Sequence, residues 1–348
     1  MEIINLLSFI QLGSGFTEGY VIAALIIVYM GDLLITGGAG FIGSALAKKA
    51  LEKGWKVCIY DTVPNGVDQT LTELQSAGVE LIIGDIRDRE KLNNAISGCG
   101  AVVHLAAQVS VSHSIKNPQE TMDVNVNGTA QVLKLCLLNG IERVVMASSA
   151  AVYGNAEHLP LQENDAGLTL SPYAESKWMN EKQIVHARKE GLKAVSLRFF
   201  NVYGPGQKSD GPYSAVIPKF VDMMLSGEAP IVNGDGLQSR DFIHVNDVCT
   251  AVLSLIDGEW RADKHDVFNV ATQSSVTLLN LIATINEILQ DKKQDYRPIA
   301  PSFGPLRKGD IQNSMADIQR MKTTFAWEPM TSFHDGIEQM IRSRIESR

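Results

Sequence analysis

The feature that most constrains the fold is a glycine-rich segment at residues 36–43, which lies between a short apolar run and a run of small residues. The apolar run at 32–35 predicts a strand, and the residues from Ser44 onward predict a helix. Such a turn directs backbone N–H groups and a helix N-terminus at one point, where a pyrophosphate can bind. The spacing is G-x-x-G-x-x-G, which favours one branch of the dinucleotide-binding enzymes. The spaced glycines are Gly37, Gly40 and Gly43.

The next predicted strand, at 57–61, ends in a carboxylate, Asp61. An acid at this position accepts hydrogen bonds from the adenosine ribose hydroxyls and repels a 2′-phosphate, so it selects NAD over NADP. The alternative is an ordinary aspartate that ends a strand and begins a turn.

Apolar runs continue along the chain at intervals that suit strands alternating with helices. Asp85 follows one of them closely, and the small residues Ala106 and Ala107 follow another, where they would let a cofactor lie close to the backbone. Buried strands with intervening helices predict a doubly wound parallel sheet. The expected fold class is therefore α/β, a Rossmann-type doubly wound parallel sheet with a smaller α/β substrate-binding lobe. The further strands are expected at 79–83, 101–105, 143–147 and 192–200.

Bulk properties exclude several classes of function. The 348 residues are 45% hydrophobic, enough for a large core and two lobes. A net charge of −8 argues against nucleic-acid binding. The four cysteines are far apart and form no C-x-x-C pair, so we expect reduced thiols and a cytoplasmic protein. The seven histidines show no metal-binding spacing, and no metal is predicted.

Residues 1–30 contain no Lys or Arg and include an apolar stretch at 20–30. The missing positive region argues against a secretory signal, and glycines and an acid at 13–19 interrupt any membrane span. We expect an over-extended start, with Met30 as the natural first residue. A hydrophobic anchor and an extra packed element are the alternatives.

Tyr173 and Lys177 stand four residues apart, on one face of a predicted helix. A nearby ammonium and a positive nicotinamide ring would favour the tyrosine phenolate, which could then act as a base. Ser149 closes the fifth predicted strand and can hydrogen-bond a reacting sugar oxygen. The alternatives are an exposed helix pair for Tyr173 and Lys177 and a turn cap for Ser149.

Together these motifs resemble the extended short-chain dehydrogenase/reductase family, and within it the nucleotide-sugar 4-epimerases, over about residues 31–345. The segments that carry the resemblance are 36–43, 84–88, 104–107, 125–129, 148–154, 173–177, 198–205, 240–245 and 307–310. The domains it implies are an extension at 1–30, an NAD-binding domain at 31–200 and a nucleotide-sugar lobe at 201–348, from which some segments return to the first domain.

The resemblance implies a catalytic triad of Ser149, Tyr173 and Lys177. Tyr173 would take the proton of the sugar 4-hydroxyl while hydride passes from C4 to bound NAD. The 4-keto sugar would then rotate and be reduced on its other face. The implied cofactor contacts are Gly37, Gly40, Phe41, Ile42, Gly43, Asp61, Asn65, Asp85, Ile86, Leu105, Ala106, Ala107, Asn125, Tyr173 and Lys177.

The resemblance also implies a UDP-sugar substrate and a homodimer. From charge and the interrupted apolar segment we expect neither a nucleic-acid nor a membrane partner. The small residue Ser314 would leave room for an N-acetyl group at the sugar 2-position. The implied substrate contacts are Ser149, Asn201, Val216, Arg240, Arg307, Asp310 and Ser314.

Three alternatives share the cofactor domain. A UDP-uronate 4-epimerase is one. A nucleotide-sugar dehydratase or decarboxylase is another, but such enzymes usually carry an acid after the strand-five hydroxyl, where this chain has Ala150 and Ala151. A non-catalytic NAD-sensing or scaffold protein is the third, and the intact triad argues against it.

Overall fold

The fold is built on a seven-stranded parallel sheet, and the computed structural model describes residues 30–156, 158–209, 215–306 and 311–346. The strands are β1 (Met30–Thr36), β2 (Trp55–Asp61), β3 (Glu80–Ile83), β4 (Cys99–His104), β5 (Arg143–Ser149), β6 (Lys193–Phe199), β7 (Asn201–Tyr203), β8 (Ile231–Asn233), β9 (Ser239–Arg240), β10 (Phe242–His244), β11 (Val267–Val270), β12 (Val276–Thr277) and β13 (Ser302–Gly304). The large sheet has the order β11-β6-β5-β4-β1-β2-β3, and the other strands form two-stranded pairs.

Helices cover both faces of this sheet and form most of the second lobe. They are α1 (Phe41–Glu52), α2 (Gln69–Ser76), α3 (Arg89–Ile96), α4 (Val111–Lys116), α5 (Pro118–Met122), α6 (Gly128–Leu138), α7 (Pro172–Lys189), α8 (Val216–Leu225), α9 (Val245–Ile256), α10 (Leu278–Lys292), α11 (Gln319–Phe325) and α12 (Phe333–Glu346). A π-helical turn, Asp123–Asn127, joins α5 to α6, and a 3-10 turn, Ala150–Tyr153, follows β5.

Successive residues of β1 enter two different hydrophobic cores. Leu33 and Ile35 pack in the core that contains α1 and α9, whereas Leu34 packs in the core that contains α3 and α6. All three side chains are fully buried, as the central strand of a parallel sheet requires. Burial of each stabilises the fold by about 1.5–3 kcal/mol, so the sheet is a rigid platform for whatever lies at its edge.

The chain changes direction at β1, which pairs with β2 on one side and β4 on the other. At such a switch point the loops after neighbouring strands run in opposite directions and leave a crevice between them, at the carboxyl ends of the strands. The loops that follow β1, β2 and β4 therefore border one crevice at this edge of the sheet.

The second lobe has its own hydrophobic core, formed by α8, α10 and α12 around β8. Two elements from this part of the chain belong instead to the domain built on the large sheet. Strand β11 pairs with β6 at the end of the large sheet, and α9 shares the core of α1.

The predicted fold class is confirmed, and the predicted strands lie within about two residues of the observed ones. Helix α1 begins at Phe41, three residues earlier than expected, because Gly40 serves as its N-cap. The predicted extension at residues 1–30 lies outside the described part of the chain except for Met30, the first residue of β1, and its interpretation stays a prediction. Over the residues that the structure covers, no helix is both long and apolar enough to cross a membrane.

Candidate active site

The glycine loop after β1 is held tightly against the loop after β4. Gly37 has φ +71, and a Cβ on it would lie 2.5 Å from the backbone nitrogen of Ala106. A Cβ on Gly43 would collide with the carbonyl oxygen of Gly37, so α1 also approaches the loop closely. Gly40 caps α1 without a side-chain hydrogen bond, which leaves the first N–H groups of the helix to bind an anion. This cradle fits a pyrophosphate.

Asp61, at the end of β2, is fixed by two backbone donors. Its Oδ2 accepts from the N–H of Ala39 at 3.1 Å and its Oδ1 accepts from the N–H of Val63 at 3.0 Å. The carboxylate therefore lies beside the glycine loop, where the sequence predicts that the adenosine ribose binds.

A cavity of about 1090 Å³ extends from this loop across the end of β2. Its volume suits a ligand as large as a dinucleotide. The predicted cofactor residues that line it are Gly40, Phe41, Asp61, Asn65 and Ala107.

Other predicted cofactor residues surround this cavity without lining it. Gly37, Ile42 and Gly43 belong to the glycine loop and the start of α1, and Leu105 and Ala106 form the backbone on which Gly37 packs.

Asp85 and Ile86 lie further along the same edge of the sheet. Asp85 forms an ion pair with Arg87 at 2.7 Å, and the hydrogen bonds from Arg87 lower the pKa of the Asp85 carboxyl. Ile86 is buried, and it occupies the space that a Cβ on Gly128 would need. Their contacts with a cofactor stay predictions.

Asn125 is fully buried in the π-helical turn, and its amide is engaged by protein groups. Its Oδ1 accepts from the N–H of Gln108 at 2.7 Å, while its Nδ2 donates to the Gln108 carbonyl and to Ser176 Oγ. Asn125 thus links the loop after β4 to α7 through hydrogen bonds. A direct contact between Asn125 and the cofactor stays a prediction.

The predicted catalytic residues Ser149 and Tyr173 line a second cavity of about 250 Å³. Ser149 is the last residue of β5, and Tyr173 is the second residue of α7. The N–H of Tyr173 donates to Ser114 Oγ at 3.1 Å, which fixes the start of α7 on α4. Burial raises the pKa of the Tyr173 phenol, and its hydrogen bond with Ser149 opposes that rise.

Lys177 lies one turn further along α7 and is 5% exposed. Its Nζ donates to the carbonyl oxygen of Ala147 at 2.8 Å, so the ammonium links α7 to the end of β5. Burial lowers the pKa of Lys177 to about 8, and the nearby Glu181 carboxylate acts in the opposite direction.

Three predicted substrate residues, Asn201, Arg240 and Ser314, line the same 250 Å³ cavity. Asn201 Nδ2 donates to the Asp241 carbonyl at 2.9 Å, and Arg240 Nη1 donates to the Ser239 carbonyl at 2.9 Å. Ser314 is 8% exposed, and its buried Oγ has no hydrogen-bond partner among the described groups. The cavity thus contains a polar atom to which a ligand could bond.

The remaining substrate predictions are not brought to this cavity. Val216 is the first residue of α8 and is not among the residues that line either cavity. Arg307 and Asp310 lie outside the described residues. All three stay predictions.

Several residues that line the smaller cavity were not predicted from the sequence. Tyr153 follows Ser149 within a motif that carried the family resemblance, so an aromatic residue so close to the strand end was a usable signal. Asn313 offered no such signal, because only folding of the second lobe brings it near Ser149.

Comparisons with known proteins identify the family of this chain. The model of the "NAD dependent epimerase/dehydratase family" matches residues 33–271. The chain is 30% identical to a UDP-glucose 4-epimerase from Rhizobium meliloti, over 86% of this chain and 92% of the relative. It is 29% identical to a UDP-N-acetyl-alpha-D-glucosaminuronate decarboxylase from Bacillus cytotoxicus, over 89% of this chain and 96% of the relative.

A solved structure extends the likeness to three dimensions. It is the UDP-N-acetylglucosamine 4-epimerase from Methanobrevibacter ruminantium M1, in complex with UDP-N-acetylmuramic acid. It has a TM-score of 0.84 and 32% identity, and the match covers 91% of this chain and 99% of that one. Because the family model spans well over half of the chain, the protein belongs to the NAD-dependent epimerase/dehydratase family, as the sequence predicts, and NAD is the cofactor of that family.

Proposed function

We propose that the protein interconverts UDP-hexoses that differ at C4, by transient oxidation of the sugar to a 4-keto intermediate. The observation that carries this proposal is the convergence of Ser149 and Tyr173 with Asn201, Arg240 and Ser314 on one cavity. A hydroxyl, a phenol and a phosphate-binding guanidinium are the groups that a nucleotide-sugar 4-epimerase needs. The similarity to UDP-glucose and UDP-N-acetylglucosamine 4-epimerases supports the same reaction.

The larger cavity and the glycine loop suit NAD, because only glycine fits at Gly37 and Gly43 and the start of α1 lacks a side-chain cap. NAD, when bound, supplies a reversible hydride acceptor for C4 of the sugar. Asp61 is placed to accept hydrogen bonds from the adenosine ribose, and its charge disfavours a 2′-phosphate.

The protein's own groups manage the proton and the orientation of the sugar. Tyr173 Oη takes the proton of the 4-hydroxyl, and Ser149 Oγ hydrogen-bonds both that hydroxyl and the phenol. Lys177 supplies a positive charge on the same helix face, which favours the phenolate. Arg240 binds the diphosphate, for which a guanidinium is well suited.

The composition of the smaller cavity favours neutral hexoses over uronic acids. Among the described residues that line it, Arg240 is the one Lys, Arg or His. Because Arg240 would bind the diphosphate, it would not be left to bind the carboxylate of a uronic acid. Ala150 and Ala151 line the cavity after Ser149 and offer no carboxylate for elimination or decarboxylation. A UDP-uronate 4-epimerase is the second candidate, since the chain is also similar to a probable UDP-glucuronate 4-epimerase from Rhizobium meliloti.

We further propose that 2-acetamido sugars are accepted. Ser314 is small, and its buried Oγ lacks a partner among the described groups. A tyrosine at this position would fill the cavity, whereas serine leaves room for an N-acetyl group and offers it a hydrogen bond.

We also propose a homodimer that associates through α6 and α7. These adjacent helices carry exposed apolar side chains, of which Leu138 is 64% exposed and Met179 is 39% exposed. Sedimentation of the wild type at the mass of two chains, and of an L138E/M179E variant at the mass of one, would support this arrangement.

The test of the function is NMR of the purified protein with UDP-GalNAc and, separately, with UDP-galactose, without added NAD. Interconversion of both with their 4-epimers is the expected result. Turnover of UDP-galactose alone would retain the mechanism and refute the role of Ser314. If neither sugar reacts and UDP-glucuronic acid does, the uronate candidate replaces the proposal.

A further inference from the structure

A buried ion pair lies directly behind the smaller cavity. Arg198 on β6 is 1% exposed and Glu181 on α7 is 6% exposed. Arg198 Nε donates to Glu181 Oε1 at 2.9 Å, and Arg198 Nη2 donates to Glu181 Oε2 at 2.7 Å. The two side chains thus form a bidentate pair, the geometry in which guanidinium and carboxylate bind most strongly.

The remaining donors and acceptors of this pair bind neighbouring elements. Ser148 Oγ donates to Glu181 Oε1 at 2.5 Å, while Arg198 Nη1 donates to Tyr153 Oη at 2.9 Å and to the Glu163 carbonyl at 2.7 Å. The guanidinium also lies 4.9 Å from the ring centroid of Tyr153. One ion pair therefore joins α7, β5, β6 and the turn that follows β5.

Three of these side chains are close to residues of the proposed catalytic site. Ser148 precedes Ser149 on β5, and Tyr153 lines the cavity together with Ser149 and Tyr173. Glu181 follows Lys177 by one helical turn. A movement of the pair would therefore displace the hydroxyl, the cavity wall and the ammonium together.

We propose that Arg198 and Glu181 are positioning residues for the reaction. They hold Ser149, Tyr173 and Lys177 in their relative positions, and the Glu181 carboxylate balances the charge of the buried Lys177 ammonium. This inference rests on the proposed function for its kinetic part. Buried ion pairs often add little net stability, because desolvation offsets their attraction. A role in geometry and charge accounts better for its bonds to Ser148 and Tyr153, beside the proposed catalytic residues.

The charge part of the proposal depends on the groups around Lys177. They are Glu181 and His104, which interact electrostatically with Lys177, and Tyr173, which lies one turn before it on α7. His104 stays neutral, since its pKa is lowered to about 3. Glu181 is the charged group that opposes the effect of burial on the pKa of Lys177, and its loss would also leave the Arg198 guanidinium without its carboxylate partner.

The experiment compares Glu181→Gln and Arg198→Lys with the wild type. Kinetics would be measured across pH 6–10, together with the NAD content of each purified enzyme. We expect E181Q to lower kcat by at least about tenfold with KM changed less than about twofold, and to move the alkaline limb of kcat to lower pH. R198K should lower kcat without that shift, since the carboxylate remains.

The matched control is Glu338→Gln, which breaks the 2.6 Å ion pair between Lys292 and Glu338 in the second lobe. It should leave kcat and its pH profile unchanged. The proposal is overturned if E181Q and R198K keep the kcat and the pH profile of the wild type. If E181Q does not fold, Glu181→Asp replaces it, and an unchanged kcat in that variant is then the refuting result.

A second readout does not depend on the substrate. NMR titration of the Lys177 side chain, assigned with Lys177→Arg, should show a lower midpoint in the variant that lacks the Glu181 charge. An equal midpoint would refute the charge balance. A wild type that turns over no UDP-sugar would refute the proposed function and leave this titration to decide the inference.

Discussion

Tyr173 is the residue on which the proposed chemistry depends most. Its phenol lines the cavity beside Ser149, whereas its backbone N–H is bound by Ser114 and would be unaffected by a change of side chain. We expect Tyr173→Phe to lower kcat by about 10²–10⁴-fold, the usual contribution of a positioned acid or base. NAD content and melting temperature should stay near those of the wild type.

The control for this variant is Tyr296→Phe, which removes a hydroxyl that donates to Asn286 Oδ1 at 2.8 Å in the second lobe. Turnover in Y296F should match the wild type. Full activity in Y173F would show that another group takes the proton.

Ser314 governs the predicted breadth of substrate. A tyrosine in place of this 8% exposed residue would overfill the cavity, at a cost of about 1–3 kcal/mol for a ligand that needs the space. We expect Ser314→Tyr to lower kcat/KM for UDP-GalNAc by at least about tenfold and to spare UDP-galactose. Ser314→Ala, which keeps the space, should accept both sugars. Equal losses for both sugars in S314Y would contradict a selective role.

At the scale of elements, the turn between β1 and α1 can be tested by a substitution at Gly37, with the same substitution at Gly54 as its control. Gly37 and Gly54 both have positive φ, at +71 and +93, so alanine is strained at either position. A Cβ at Gly37 would also lie 2.5 Å from Ala106 N, whereas at Gly54 it would meet nothing within 4 Å. We expect Gly37→Ala to lower the free energy of unfolding by about 1–3 kcal/mol more than Gly54→Ala.

The variants G37A and G54A also distinguish an effect on stability from an effect on cofactor binding. Denaturant unfolding gives the free energies, and the NAD content of the purified variants gives the second readout. G37A should lose NAD because the loop must move away from Ala106, and G54A should keep it. Equal NAD content in the two variants would show that the loop does not hold the cofactor.

Six of the seven strands of the large sheet, β1 to β6, could be predicted from the sequence because each is a short apolar run beside a turn. Strand β11 could not be assigned to that sheet, nor helix α9 to the core beside it, since an apolar run does not specify which core it enters. The pairing of Arg198 with Glu181 was equally hidden. The two residues lie on different elements, and only the packing of α7 on β6 brings them together.

At the scale of the whole molecule, the smaller cavity exists because the two lobes are tied together. Asp241 is fully buried, and its carboxylate accepts from Thr272 Oγ1 at 2.6 Å and from the N–H of Ala316 at 3.1 Å. The backbone of Leu161 bonds on both sides of Ala316, to Met315 and Asp317. Ser314 thus faces Ser149 through long-range contacts that no local pattern encodes, which is why its neighbour Asn313 was not predicted.

Stability of the whole fold should depend on one buried histidine at the end of β4. His104 is 2% exposed, and its ring nitrogens bond to Thr36 Oγ1 at 2.7 Å and Thr129 Oγ1 at 2.9 Å. Burial, with a smaller effect of the Lys177 charge, lowers its pKa to about 3, against 6.5 for an ordinary histidine. Between these values the unfolded chain binds the proton and the folded chain does not, so the His104 contribution to stability falls as pH falls from 6.5 toward 3.

The size of this effect is set by the linkage between protons and folding. One group contributes at most about 1.4 kcal/mol per pH unit within its window, which makes the full effect on the order of several kcal/mol. Carboxyl groups also titrate in acid, and Arg87 lowers the pKa of one of them, Asp85, so the measurement must compare variants rather than pH values. His104→Gln keeps polar groups for the two threonines but cannot gain the charge. The free energy of unfolding of H104Q, measured in urea at pH 7.0, 5.5 and 4.5, should fall less steeply with falling pH than that of the wild type.

The control is His186→Gln, at an exposed position on α7, which should show the same pH dependence as the wild type. If H104Q and the wild type lose stability equally with falling pH, His104 takes up its proton without unfolding. The rigid sheet edge inferred for the cofactor crevice would then be wrong.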